Sequence, residues 1–206
     1  HVREDQYAHA ARVLGVDVGR FGDDPSIIFP RQGIATFQPI VLRNATSIEG
    51  AGAVARKWGD WKADGCFVDA TGGYGGGWCD ALVQLGRVPV EVQFAGRPND
   101  PRYFNKRAEI WFEMCEAIKA GTVLPNLPEI VAELTTPTYT FKGDKLIIED
   151  KDQVKLRLGR SPNYADALAT TYAQPIHVQR ELPRWMQQEM GRAQTEYDPW
   201  STDRLQ

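Results

Sequence analysis

Three aspartates stand at positions where an unpaired carboxylate would be costly. Asp17 interrupts the apolar run RVLGVDVG, Asp69 ends the apolar run CFVDA, and Asp166 lies one turn into the helix-like segment SPNYADALATTYA. A buried carboxylate without a partner takes up a proton or recruits a cation. Hard divalent cations such as Mg²⁺ and Mn²⁺ require oxygen ligands, here from separate elements. Together the three residues form a candidate divalent-metal site.

Each aspartate also has a purely structural interpretation. Asp17 can begin a turn, Asp69 can cap the helix that follows it, and Asp166 can favour the positive end of its helix. Only the occurrence of all three aspartates together favours a metal site over these structural roles. Asp23 or Asp24, in the loop after the first strand, is a further candidate ligand, and we rank Asp23 below the three main acids.

Cleavage of a phosphodiester is chemistry that needs such a cluster. In two-metal sites, ions about 3.5–4 Å apart clamp the attacking and the leaving oxygen of an in-line displacement. The carboxylates hold both ions against their mutual repulsion. A site of this kind would use two Mg²⁺ or Mn²⁺ ions.

The elements that must position these residues follow the order of a mixed sheet. The runs RVLGVDV, SIIFPR and ATFQPIVL predict three antiparallel strands, and CFVDA and VPVEVQF predict parallel strands joined by the helix GGWCDALVQLG. Further helices are predicted at residues 47–61, 105–121, 127–135 and 151–158 and from Ser161, with a hairpin across Gly143-Asp144. This order predicts an RNase H-like α/β fold with helices on both faces of the sheet, an outline that other mixed sheets share.

Periodicity predicts which helix faces are buried. The helix at 47–61, with Ser47 as its cap, would bury Ile48, Ala51, Ala55 and Trp58. The helix at 105–121 would bury Ala108, Trp111, Phe112, Cys115 and Ile118, and would turn Glu109, Glu113 and Glu116 away from the core.

Composition excludes several classes of protein. The 206 residues include 24 basic and 27 acidic side chains, so the net charge of −3 argues against binding nucleic acid through bulk charge. The three cysteines form no CxxC pair, which predicts free thiols and no zinc site. No apolar run is long enough to span a membrane and no signal peptide is visible, so a cytosolic setting is the default expectation.

The chain divides into three segments by pattern. We predict an N-terminal extension or linker at residues 1–10, one folded domain at 11–175, and a C-terminal helix near 183–193 followed by a loose tail within 176–206. The first residue is not Met, which suggests a fragment of a larger protein.

Four stretches together resemble a known family. In this order and spacing, LGVDVGRFGDDPSII, FVDATGGYGGG, YFNKRAEIWFEM and KLRLGRSPNYADALATTYA are similar to the nuclease domain of the large terminase subunit of tailed bacteriophages. The resemblance covers roughly residues 11 to 174. It implies an RNase H-like endonuclease of the resolvase and integrase type, which cuts concatemeric double-stranded viral DNA in the host cytoplasm during packaging.

The resemblance also implies roles for individual residues. Asp17, Asp69 and Asp166 would be the catalytic metal ligands, with Asp23 an auxiliary acid. Asn163 stands where the family often has a second acid, which implies weaker binding of the second metal. The expected partners are an ATPase domain N-terminal to this one in the full-length protein, the small terminase subunit and the portal.

Two basic stretches are candidates for contacts with DNA phosphates. They are GRPNDPRYFNKR and KDQVKLRLGR, and their candidate residues are Arg97, Arg102, Lys106, Arg107, Lys155 and Arg157. Solvated charge on ordinary loops and helix faces is the alternative interpretation of either stretch. The chain has no G-x-x-x-x-G-K-[ST] segment, so we expect it to cut DNA without pumping it.

Two other functions remain open from the sequence. GVDVG and DATGG also resemble the phosphate loops of actin-like ATPases and sugar kinases, which need a second lobe that 206 residues do not provide. The chain could instead be a non-catalytic packaging module whose acids are structural.

Overall fold

A computed structural model describes residues 2–19, 24–176 and 178. Its strands are β1 (Arg12–Asp17), β2 (Ser26–Gln32), β3 (Ala35–Thr36), β4 (Ile40–Leu42), β5 (Gly65–Asp69), β6 (Val90–Val92), β7 (Tyr139–Lys142) and β8 (Lys145–Ile148). Its helices are α1 (Ser47–Trp61), α2 (Tyr74–Gln84), α3 (Lys106–Lys119), α4 (Pro128–Thr135), α5 (Lys151–Leu158) and α6 (Asn163–Thr170). The helix predicted near 183–193 lies outside the described residues.

The main sheet has six strands and mixed direction. Its order is β3-β2-β1-β5-β6, and β4 also pairs with β2. β1 pairs with β2 antiparallel and with β5 parallel, and β5 pairs with β6 parallel. The predicted mixed sheet is therefore confirmed, and β7 and β8 form a separate hairpin as expected.

Two prolines split the third predicted strand into β3 and β4. Both short strands pair with β2, but at opposite ends of it. Pro30 in β2 has no N–H, and its carbonyl accepts from Phe37 N at 3.0 Å, in the gap between the two short strands. Pro39 likewise has no donor for a continuous ladder.

Alternating residues send their side chains to opposite faces of the sheet. Val13, Ile27 and Phe67 belong to one core cluster, which also includes residues of α3, α4 and α6. The residues that follow them, Leu14, Ile28 and Val68, belong to a second cluster with α1 and α2. Helices therefore cover both faces, as predicted.

Two helix faces differ from the periodicity prediction. Thr46, and not Ser47, caps α1 in a capping box with Glu49, and Ile48 is 78% exposed because it lies in the first turn away from the core. In α3, Glu109 is buried. Its burial is tolerated because its carboxylate accepts hydrogen bonds from Asp100 N and Lys106 Nζ. Residues Ile110 and Met114 complete the buried face of α3.

The N-terminal segment is attached to the main sheet by side-chain hydrogen bonds. Gln32 Nε2 donates to Ala8 O and Ala10 O, which fixes the N-terminal segment against β2. All three cysteines are free, as predicted. In the part of the chain that the structure describes, no helix combines the length and apolar character needed to cross a membrane.

Candidate metal centre

Asp17 and Asp69 leave the sheet side by side. Each is the last residue of its strand, and the parallel register pairs Val16 of β1 with Val68 of β5. Their carboxylates therefore emerge at the same carboxyl edge, where open α/β sheets place their sites. Both residues are buried, at 1% and 8% exposure.

Asp166 reaches this edge because α6 lies directly on β1. A Cβ atom at Gly15 would come within 2.0 Å of Ala167 O, so only glycine allows this approach. Asp166 occupies the first turn of α6 and is fully buried. The helix begins at Asn163, two residues later than predicted, and Ser161 Oγ donates to Asp24 Oδ2 instead of capping it.

Lys151, at the start of α5, joins two of the acids. Its Nζ donates to Asp17 Oδ1 at 3.1 Å and forms an ion pair of 3.1 Å with Asp166 Oδ2. Asp17 and Asp166 thus share one cation although 149 residues separate them along the chain, from 17 to 166. The structure thus brings Asp17 and Asp166, two of the acids named from the sequence, to one ammonium.

Asp17 and Asp69 line a cleft of about 350 Å³, and Asp166 lies buried behind Lys151 and Arg107, which also line it. Other residues of its lining include Asp24, Thr71, Tyr74, Asn105, Lys155 and Asn163. Thr71 N donates to Asp69 Oδ1 at 2.9 Å, which orients that carboxylate at the start of the glycine-rich turn.

Burial and mutual repulsion set the charge states of the acids. Burial raises the pKa of Asp17, and the neighbouring Asp166 and Asp69 raise it further, against the opposing effect of Lys151. Burial likewise raises the pKa of Asp69. Burial also disfavours ionised Asp166, but Arg107 and Lys151 outweigh it and the pKa of Asp166 is lowered. The acids also raise the pKa of Lys151, which outweighs the effect of its burial.

The donor set suits a hard divalent cation. Asp17 Oδ2 is buried and accepts no hydrogen bond from the described residues, and buried Asp166 Oδ2 faces only the Lys151 ammonium, at 3.1 Å. Carboxylate oxygens are the ligands that Mg²⁺ and Mn²⁺ prefer. As the side chains stand, no group of three or more His, Cys, Asp or Glu residues in the described chain is drawn together tightly enough to hold a metal. The Lys151 ammonium instead supplies positive charge between two of the acids.

Of the further candidate ligands, the structure describes Asp24 and Asn163. Asp23 lies outside the described residues, whereas its neighbour Asp24 lines the cleft and accepts from Lys155 Nζ at 2.7 Å. Asn163 is buried, and its Nδ2 donates to Pro25 O at 2.8 Å.

The cationic candidates fall into two groups. Arg107 is largely buried and faces Asp166, and it lines the cleft. Lys106 forms a largely buried ion pair with Glu109 at 2.5 Å. Arg97 and Arg102 are exposed, Lys155 lies at the cleft beside Asp24, and Arg157 pairs with Glu149.

Sequence reasoning missed two site residues. Lys151 belongs to a basic stretch, but nothing in the sequence distinguishes it from its neighbours there. Trp111 was assigned to the apolar face of its helix, yet its indole Nε1 donates to Asp166 Oδ1 at 2.8 Å. The available signal is that a buried indole N–H requires an acceptor.

Comparison with known proteins shows that solved structures share this fold. No family model matches the chain, and no curated protein matches it. Among solved structures, the nuclease domain of the large terminase subunit gp2 of bacterial virus Sf6 is similar, with a TM-score of 0.69 and 21% identity over 80% of this chain and 89% of that one.

Two further structures are similar. A mutant of the Sf6 nuclease domain determined with manganese has a TM-score of 0.68 and 21% identity, over 82% of this chain and 90% of that one. The large terminase nuclease from thermophilic phage G20c has a TM-score of 0.59 and 15% identity, over 82% and 84%. The predicted RNase H-like fold is thereby confirmed.

Proposed function

We propose that this chain is the metal-dependent endonuclease domain of a viral DNA-packaging terminase, and that it cleaves concatemeric double-stranded DNA. One observation carries the proposal: aspartates from β1 and β5 line one cleft, and Lys151 links the β1 aspartate to the buried aspartate of α6, in a fold similar to that of terminase nucleases. The Sf6 and G20c domains include structures with manganese and with magnesium. We infer that two Mg²⁺ or Mn²⁺ ions serve the same purpose here.

The proposed chemistry assigns roles to this chain's own residues. Bound divalent ions would supply the charge that activates a water and stabilises the leaving oxygen. Asp17 and Asp166 would hold them through their Oδ2 atoms, and Asp69 through its carboxylate, which Thr71 orients. Lys151 would release Asp166 as the cations bind, because Asp166 Oδ2 cannot serve both, and repulsion from the bound cations would move its ammonium away from Asp17 Oδ1.

DNA contact is proposed to run through phosphates along the cleft. The proposed phosphate-contacting residues are Arg97, Arg102, Lys106, Arg107, Lys155 and Arg157, of which Arg107 is also held by Asp166. Asp23 remains a proposed auxiliary ligand. Asn163 stands where the family often has an acid, so the site carries less negative charge. We therefore propose weaker binding of the second ion.

The proposed place in a larger protein follows from the role. Residues 11–175 would be the nuclease domain, with an ATPase domain preceding it in the full-length protein. The small terminase subunit and the portal are the proposed protein partners, and the host cytoplasm is the proposed location.

A plasmid assay tests the proposal. The chain is expected to nick and linearise supercoiled plasmid with Mn²⁺ or Mg²⁺, without ATP, and to lose this activity in Asp17→Ala, Asp69→Ala and Asp166→Ala. Asp60→Ala is the matched control, because Asp60 is exposed on α1 and does not line the cleft. Cleavage that survives all three substitutions, or no cleavage by the unaltered chain, contradicts the proposal. Binding of ATP in place of cleavage would favour the actin-like alternative.

A further inference from the structure

Trp111 makes an unusual hydrogen bond for a core tryptophan. It is 1% exposed in α3, and its indole Nε1 donates to Asp166 Oδ1 at 2.8 Å. A hydrogen bond to an ionised acceptor is roughly twice as strong as a neutral one, and low local polarity strengthens it further. The tryptophan therefore constrains the carboxylate it contacts.

Arg107 reinforces the same contact from one helical turn earlier. Its Nε and Nη2 both lie 3.4 Å from Asp166 Oδ1, and its guanidinium stands 5.3 Å from the centre of the Trp111 ring. Its Nη1 donates to Glu149 O at 2.6 Å, which fixes the guanidinium in place. Two donors on one face of α3 thus converge on a single oxygen.

This arrangement divides the two oxygens of Asp166 between two tasks. Oδ1 is occupied by Trp111 and Arg107, and Oδ2 faces Lys151 Nζ in an ion pair of 3.1 Å with no other partner among the described residues. Rotation of the carboxylate would break the Trp111 bond. The oxygen that faces Lys151, a lining residue of the cleft, is therefore set by α3, an element that carries none of the three acids.

We propose that Trp111 is a positioning residue of the metal centre: by holding Asp166 Oδ1 through its indole N–H, it presents Asp166 Oδ2 to the divalent cation. The inference rests on the proposed function. It gives the indole N–H a role in metal binding, which a tryptophan that only filled an apolar core would not have. Partners that orient metal ligands typically contribute 10–100-fold to metal affinity or activity.

The alternative is that Trp111 only fills the core. Phenylalanine keeps the aromatic packing and removes the N–H, so Trp111→Phe separates the two roles. The matched control is Trp78→Phe, since Trp78 is 2% exposed, packs in the other core cluster and does not line the cleft. Both variants lose a similar volume from a core.

Mg²⁺ binding measured by calorimetry is the main readout, with thermal melts to report folding. We expect Trp111→Phe to weaken Mg²⁺ binding about 10–100-fold, and to raise by a similar factor the Mg²⁺ concentration for half-maximal plasmid cleavage. Trp78→Phe should leave both values unchanged. Equal Mg²⁺ affinity in folded Trp111→Phe and the unaltered chain, or equal losses in both variants, would overturn the inference.

A second measurement uses the unaltered chain and does not depend on the variant folding. In assigned NMR spectra, Mg²⁺ should shift the indole N–H resonance of Trp111 and leave that of Trp78 in place. An unmoved Trp111 resonance during saturating Mg²⁺ binding contradicts the inference alone. A chain that neither binds Mg²⁺ nor cuts DNA contradicts the proposed function and this inference with it.

Discussion

Lys151 Nζ stands 3.1 Å from Asp17 Oδ1 and 3.1 Å from Asp166 Oδ2, so one ammonium partly neutralises two buried carboxylates. The two acids respond differently to this environment, because the pKa of Asp17 is raised by burial while Arg107 and Lys151 together lower the pKa of Asp166. Burial therefore favours the protonated form of Asp17, and a divalent cation that replaces the proton can stabilise the carboxylate better than the lysine does.

Removing the ammonium should make the protein depend on metal for stability. Without metal, Lys151→Ala should destabilise the fold by about 1–3 kcal/mol, since the acids lose their cation, although protonation of Asp17 limits the loss. Mg²⁺ should then raise the melting temperature of the variant more than that of the unaltered chain. Lys119→Ala, which removes an ion pair with both partners about two-thirds exposed or more, is the control and should leave stability nearly unchanged, with no metal effect. Equal Mg²⁺ responses in the two variants would count against the shared-site arrangement.

Neutralising the two acids should change stability in opposite directions. Asp17→Asn removes a carboxylate whose ionised form is disfavoured by burial, so without metal it should raise the melting temperature, by about 2–4 °C for each kcal/mol gained. Asp166→Asn leaves the buried Arg107 without its carboxylate and should destabilise by about 3 kcal/mol. Circular dichroism melts measure both effects, and both variants should lose plasmid cleavage. A rise in melting temperature for Asp166→Asn would show that Arg107 does not depend on it.

The contact between β1 and α6 should tolerate no side chain at position 15. Gly15→Ala places a Cβ atom within 2.0 Å of Ala167 O, so α6 must move and carry Asp166 with it. We expect a loss of about 1–3 kcal/mol from this overpacking, with weaker Mg²⁺ binding measured by calorimetry. Gly52→Ala is the control, because its nearest neighbour is Arg56 Nη1 at 3.7 Å and alanine is the better helix former by about 1 kcal/mol. Wild-type Mg²⁺ affinity in Gly15→Ala would mean that the close approach does not position Asp166.

A buried glutamate outside the cleft should make stability fall as pH rises. Burial raises the pKa of Glu133 to about 7, although Ala165 N donates to it at 3.0 Å and Arg160 pairs with it at 3.1 Å. The folded state then binds a proton that the unfolded state releases near pH 4.5, the ordinary value. Between those two pH values this group reduces the free energy of unfolding, by at most about 1.4 kcal/mol per pH unit.

Glu133→Gln isolates this contribution. The difference in unfolding free energy between variant and unaltered chain, measured in urea, should grow in favour of the variant from pH 4.5 to pH 7 and then level off. The acids of the cleft titrate in both proteins, so their effects cancel in the difference. A difference that is constant across this range would show that Glu133 is ionised throughout.

Sequence periodicity predicted the parts of the fold that repeat. The runs RVLGVDV and CFVDA predicted the strands β1 and β5, which end in Asp17 and Asp69, and the parallel crossover from β5 to β6 was predicted as well. The break between β3 and β4 was not predicted, because it depends on Pro30 in the neighbouring strand β2, which has no N–H to donate across the gap.

Buried polar partnerships could not be predicted from the same patterns. Glu109 looks like a solvent-exposed residue in the sequence, but Asp100 N and Lys106 satisfy both of its oxygens inside the protein. Lys151 and Trp111 meet Asp17 and Asp166 only through contacts 134 and 55 residues apart, and helical periodicity carries no information about such pairs.

A crystal structure of the chain soaked in Mn²⁺, with anomalous difference maps, tests the shared metal centre most directly. We predict manganese bonded to carboxylate oxygens of Asp17, Asp69 and Asp166, with Lys151 Nζ displaced from Asp17 and Asp166. Manganese bound elsewhere, or a cleft that keeps the Lys151 ion pairs at saturating Mn²⁺, would contradict it.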